Sequence, residues 1–231
     1  MYPEQTMRMP VSALDTDRRA TFLTRTYTHL LGAILGFTAI EIALFSSGLA
    51  EPIARAMLGV NWLLVLGGFM LVSWLASRAA LSVSSLGSQY LGLAALVAAQ
   101  ALIFVPMLYL ANAYAPGTIQ SAALVTMMGF VGLTAVAFST RKDFSFLGAG
   151  LRWLGVMALV LIASSVIFGF ALGTWFSVAM VAFAGAAVLY DTSNVLHHFP
   201  EDRYVGAAMQ LFASVALMFW YVLRLFMARR S

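Results

Sequence analysis

The sequence predicts an all-α integral membrane protein, a bundle of seven transmembrane helices. Three observations carry that reading. Of the 231 residues, 62% are hydrophobic and only 10% are charged, against about 45–50% and about 25% in an ordinary soluble domain. The chain contains seven apolar runs, each near the roughly 20 residues that a helix needs to cross a bilayer. These runs are continuous rather than alternating at every second residue, which favours helices over a barrel of dyad-patterned strands.

The spans fall at residues 28–50, 61–79, 90–113, 119–140, 147–170, 174–196 and 204–228. The first follows a polar segment with mixed charge (Arg8, Asp15, Asp17, Arg18, Arg19, Arg25) and two prolines, Pro3 and Pro10, so 1–27 reads as a flexible cytoplasmic tail and 28–228 as the membrane domain. No cleavable signal peptide is expected, because the first apolar run is too long for a signal h-region. The third span contains Pro106, whose missing N–H should kink or loosen the helix. Only Ala171-Leu172-Gly173 separates the fifth span from the sixth. Gly169 and Gly173 bracket that point and favour a tight helical turn; one long buried hairpin is the competing reading.

Orientation follows from the basic residues. With seven spans, the N-terminal side carries nine: Arg8, Arg18, Arg19, Arg25, Arg78, Arg141, Lys142, Arg152 and Arg203. The opposite side carries four, Arg55, Arg224, Arg229 and Arg230. The N-terminus is therefore expected in the cytoplasm. A last segment that dips in and returns is the alternative, since it would keep Arg224, Arg229 and Arg230 on the cytoplasmic side.

The net charge of +4 comes from 13 Lys and Arg spread along the chain, whereas a nucleic-acid site needs a dense basic face. With no Cys, disulfides, thiolate metal sites and a cysteine nucleophile are excluded. Lipid tails are as apolar as leucine, so helices in a bilayer associate through small-residue faces and buried polar contacts. Gly32 with Gly36, Gly129 with Gly132, and Ala182, Gly185, Ala186 and Ala187 are the expected faces.

Ionisable groups within spans are costly and demand an account. Glu41 lies near the middle of the first span; a carboxyl bonded to a neighbouring carbonyl would explain it. Asp191 belongs to a polar cluster, Tyr190-Asp191-Thr192-Ser193-Asn194, at the end of the sixth. Helical spacing lets Asp191, Asn194 and His198 share one side, and puts Gln210 and Ser214 on one face of the antiparallel last helix, with Ser214 at a depth comparable to Asp191. A buried carboxylate beside hydroxyl and amide groups is a candidate proton or cation site, because hard cations prefer oxygen. An ion pair with Arg78, Arg141, Lys142, Arg152 or Arg203, pinning helix ends, is the structural alternative. Enzyme chemistry finds no support. The adjacent His197 and His198 lie in a charged loop, no His-x-x-x-His or Gly-x-Ser-x-Gly pattern occurs, and one intramembrane Asp does not make a protease dyad. No cofactor is expected.

Three segments carry a resemblance. Arg25-Thr26-Tyr27 entering the first helix, Ser139-Thr140-Arg141-Lys142-Asp143-Phe144-Ser145 after the fourth, and Leu189-Tyr190-Asp191-Thr192-Ser193-Asn194 ending the sixth resemble the Bax inhibitor-1 (transmembrane Bax-inhibitor-motif) family over about residues 20–228. The resemblance implies seven helices with the last surrounded by the others, no enzymatic activity, and a bacterial member residing in the inner membrane. Some members look like pH-sensitive Ca²⁺ leak channels, and others resemble a modulator of the FtsH-type membrane protease, which would then be the protein partner. The leak pattern uses two carboxyls. Asp191 matches the first, but alignment on Val222-Leu223-Arg224-Leu225-Phe226 puts Ser214 in place of the second and Leu217 where an Asn often stands. That departure points toward the protease-modulator branch. Arg78 is the counterpart of the family's second-helix arginine that latches the aspartate. Any bound or transported metal would be Ca²⁺ at Asp191.

Topology offers a direct check. Reporter fusions within 141–146 should read as cytoplasmic and fusions after residue 231 as non-cytoplasmic; a cytoplasmic signal from both would overturn the seventh span.

Overall fold

A computed structural model describes residues 9–82, 85–140 and 142–229; Arg8, Arg141 and Arg230 of the charge analysis lie outside them. The described chain forms α1 (Thr16–Ser46), α2 (Ala50–Leu58), α3 (Trp62–Ser82), α4 (Leu86–Tyr114), α5 (Thr118–Thr140), α6 (Leu147–Phe168), α7 (Gly173–His197) and α8 (Tyr204–Ala228). All but α2 are long and apolar enough to cross a membrane, making seven candidate spans. α8 is one uninterrupted helix of 25 residues, so it has the length of a full crossing.

α1 departs most from expectation. It begins at Thr16, twelve residues before the apolar run, because Asp15 caps it by accepting the Arg18 amide at 2.9 Å and leaves one fewer N–H unpaired at the helix start. Nor do residues 9–15 hang free. Val11 is fully buried and its N–H donates to Phe199 O at 2.9 Å, Pro10 and Pro200 form an isolated bridge, the Ser12 hydroxyl donates to His197 O at 2.8 Å, and Arg18 pairs with Glu201. The flexible tail expected at 1–27 is thus corrected for residues 9–27: 9–15 are a strap seated on the α7–α8 loop, with a single 3-10 turn at Val11–Ala13, and 16–27 are the first turns of α1.

α2 is a short helix in what reads from sequence as a loop. Its Ala50 and Ala54 are buried against Val105 of α4, and Glu51 and Arg55 pair across one helical turn at 2.6 Å. α4 continues through Pro106, which is buried inside it. Between α6 and α7 the tight turn is present: Gly169 and Gly173 adopt φ of 71° and 68°, a left-handed conformation that costs glycine little.

α8 is the hub. It packs on α1, α3, α4, α5 and α7, as the resemblance implies, and its Phe219 stacks on Phe104 of α4 with ring centroids 5.4 Å apart. The closest backbone approaches lie elsewhere than the expected small-residue faces. Gly32 and Gly132 face open space and Gly36 makes only an ordinary contact, although Gly129 meets Met218 and Gly185 meets Leu133 more closely. The tight seam is at Gly92 of α4, where a Cβ would stand 2.5 Å from Ala76 O and 3.0 Å from the Ala80 Cβ on α3. Gly206 of α8 presses on the same residue from another side, where a Cβ would stand 3.3 Å from Ala80 O. Beside it the buried Arg203 donates to Ala80 O and Leu81 O, supplying donors to carbonyls at the end of α3 that lack helical partners.

The α5–α6 loop is clamped to the end of α7. The Phe144 amide donates to Ser193 Oγ at 2.8 Å, the Ser193 hydroxyl donates to Asp143 Oδ1 at 3.3 Å, the Ser145 amide donates to the same oxygen at 2.9 Å, and His198 Nε2 lies 2.9 Å from Asp143 Oδ2. The Ser145 amide, more than any other group, holds the Asp143 carboxyl below its ordinary range.

Two tests follow from this packing. Gly92→Ala should destabilise the chain by about 1–3 kcal/mol, since the obstructing atoms are backbone and an alanine Cβ, none of which can rotate aside; an unchanged melting temperature in detergent would show that α3 and α4 separate freely. Because the Asp143 carboxyl is depressed on folding, its contribution is present above its unfolded value near about pH 4 and is lost as pH falls through the folded value. At neutral pH, Asp143→Ala should therefore speed hydrogen exchange at the Ser145 and Phe144 amides, and acidification should lower the protection factors of the same amides, relative to their intrinsic rates at each pH, in the natural protein.

Candidate functional site

The last two turns of α7 are polar, and the first half of α8 returns alongside them through the short 198–203 connection. Residues 210 and 214 are four apart and so occupy one face of α8. Both reach Asp191: Gln210 Nε2 donates to Oδ1 and the Ser214 hydroxyl donates to Oδ2. Asp191 is 6% exposed and Ser214 is 7% exposed. Each carboxylate oxygen thus has its own donor, the form in which a buried acid is tolerated.

This arrangement joins helices better than it holds a cation. Ser214 and Gln210 turn hydrogens, not lone pairs, toward Asp191, whereas Ca²⁺ takes six to eight oxygen ligands. Among the described residues no group of three His, Cys, Asp or Glu is close enough to hold a metal ion. A cavity of about 550 Å³ lies against the site between α3, α4, α6 and α8, with Gln210, Gln100, Ser73 and Ser77 in its wall beside Trp62 and Trp220. The Asp191 seam therefore borders this cavity through Gln210.

The other residues named from sequence are placed as follows. Arg78 does not latch Asp191: its guanidinium lies 5.1 Å from the Trp74 ring centroid, and among the described residues no ion pair joins Asp191 to Arg78, Lys142, Arg152 or Arg203. A long side chain at a helix end reaches the interface more cheaply than it buries a charge. Asn194 contributes its carbonyl, which accepts from the His198 and Phe199 amides at 2.8 and 3.2 Å to close α7. His198 has turned away to Asp143, so the expected Asp191–Asn194–His198 side is not assembled.

Glu41 belongs to a different place. It is 7% exposed and lines a separate cavity of about 270 Å³ with Phe212, Val215 and Phe219 of α8. By helical periodicity these three lie on the face of α8 opposite Gln210 and Ser214. Among the described residues neither Glu41 oxygen has a hydrogen-bond partner, so the neighbouring carbonyl expected to explain it is not found there. Sequence reasoning missed Thr126 in this cavity and the capping role of Arg203. Thr126 has no distinguishing signal in an apolar helix, whereas Arg203 one residue before an apolar span is a readable cue for a cap.

A segment of the chain is 32% identical over 120 residues to an uncharacterized protein of Pseudomonas aeruginosa, covering 52% of this chain and 54% of that one. Another match, at 31% over 114 residues, is to Bax inhibitor 1 of Schizosaccharomyces pombe, covering 46% and 41%. The Golgi anti-apoptotic protein of vaccinia virus (strain Lister) is 28% identical over 111 residues, covering 46% of each. The chain spans about half the length of the curated relatives it matches. The family model described as "Inhibitor of apoptosis-promoting Bax1" matches residues 19–231, taking in all seven candidate spans but the first few residues of α1, and the chain belongs to the Bax inhibitor-1 family.

Proposed function

We propose that this chain is a non-enzymatic regulator embedded in the bacterial inner membrane, N-terminus in the cytoplasm, that acts by lateral contact on an FtsH-type protease or a related membrane stress response. The observation that carries this reading is the closed state of Asp191. Its two oxygens are taken by neutral donors of α8, and Ser214 stands where a pH-gated leak would need a second carboxylate. Two carboxylates at close range cannot both stay ionised; one carboxylate with a hydroxyl lacks that coupling. The charge bias toward the N-terminal side supports the orientation, and bacterial membrane-protein relatives support the compartment. A second reading, a cation or proton leak through the bundle, is favoured by the 550 Å³ cavity that shares Gln210 with the site.

One pair of measurements separates them. Purified protein in liposomes should give Ca²⁺ flux near the protein-free background across pH 5–8, while co-expression with an FtsH-type protease should yield co-purification and a changed half-life of its membrane substrates. Ser214→Asp should add flux that varies with pH, because the two carboxyls would then compete for a proton. Steep acid-inhibited flux from the natural protein, with no co-purification and unchanged proteolysis, would establish the leak instead.

A further inference from the structure

We propose that the cavity beside Glu41 is a binding site for a lipophilic amine, an apolar body of one or two rings bearing a single ammonium group. The cavity holds about 270 Å³ between α1, α4, α5 and α8, roughly nine times the liquid volume of one water. Its walls are aliphatic and aromatic, with Phe37, Leu108, Met127, Phe212 and Phe219 among them. A water needs two to four polar partners, and only three polar side chains line the space: Glu41, Thr38 and Thr126. Thr38 is occupied, donating to Ile34 O at 2.8 Å. Glu41 Oε1 and Oε2 and Thr126 Oγ1 are buried and have no partner.

Those three orphan atoms define the ligand. A carboxylate only accepts hydrogen bonds and a hydroxyl oxygen accepts as well, so the missing group must bring donors, and positive charge matches the acid. An ammonium brings three donors to three acceptors. A hydrated divalent cation does not fit, because it demands six or more oxygens and the remaining wall offers hydrocarbon. Phe37, Phe212 and Phe219 line the space and suit an apolar body that carries a cation, since aromatic rings attract cations.

Entry is from the lipid. Ile42 is 63% exposed and Met127 is 37% exposed on the outer surface of the bundle, and both line the same cavity. The mouth therefore lies between α1, which packs chiefly on α8 and α4, and α5, which packs chiefly on α8 and α7. An amine arriving uncharged and a neutral carboxyl form the same pair by moving one proton from the carboxyl oxygen to nitrogen, so no charge has to cross hydrocarbon.

The test uses the full chain in lipid nanodiscs, with 1-naphthylmethylamine as probe, 1-naphthalenemethanol as its uncharged counterpart, and empty nanodiscs to subtract partitioning. The amine should bind saturably, one per chain, at least tenfold more tightly than the alcohol. Glu41→Gln should bring the amine to the affinity of the alcohol. Ala123→Trp, which fills the cavity while keeping Glu41, should abolish binding of both; should Glu41→Gln fail to fold, this variant and the amine-to-alcohol ratio decide. Equal affinities for the two probes, uptake no greater than by empty nanodiscs, or amine binding unchanged in Glu41→Gln or Ala123→Trp would overturn the proposal.

Discussion

A carboxylate surrounded by hydrocarbon must find its donors inside the protein, and Asp191 finds both on α8. That requirement sets the rotation of α7 against α8, because Gln210 and Ser214 reach Asp191 only when one face of α8 is turned toward it. The opposite face of α8 is then committed as well. Phe212 and Phe219 are turned toward α1, α4 and α5, and the remaining helices take their places around a core element already fixed in angle. Apolar helices in lipid have little hydrophobic reason to choose one rotation over another, so one pair of polar contacts does what burial does in a soluble core.

The seven spans were legible because hydropathy over about 20 residues measures bilayer thickness directly. Helix length is a different quantity. α1 runs beyond the hydrocarbon into a segment with Arg18, Arg19 and Arg25, where hydropathy falls although the Asp15 cap keeps the helix going. α2 was hidden by its nine residues and by Glu51, Pro52 and Arg55, which read as a loop. The glycine seams were misplaced for a third reason. Gly32 and Gly36 satisfy a spacing rule within one helix, but close approach depends on what stands opposite. Gly92 has no second glycine three or four residues away and meets Ala76 and Ala80, which are unremarked alanines on a neighbouring helix.

The site was partly legible for similar reasons. Spacing of four and a depth count across a short loop sufficed to bring Ser214 and Gln210 to Asp191. Arg78 was beyond that reach, because its position along the membrane says nothing about the direction its helix turns it. Glu41 announced itself as an anomaly in the sequence, yet whether it had a partner depended on the walls contributed by α4, α5 and α8, which no local pattern encodes. Polar residues in spans were therefore the right places to look, while their partners were readable only within the hairpin that connects them.

The strap at residues 9–15 gives the chain a peculiar order of assembly. Ser12 bonds to His197, 185 residues later in the sequence, and Val11 closes on Phe199. At about 5–20 residues per second of synthesis, the strap waits on the order of 10–40 s before the surface it binds exists. During that interval six spans can already be inserted while the strap stays open to passing proteases. Its closure reports that the final hairpin has arrived, so an unfinished bundle carries its own mark at the opposite end of the polypeptide from the missing part.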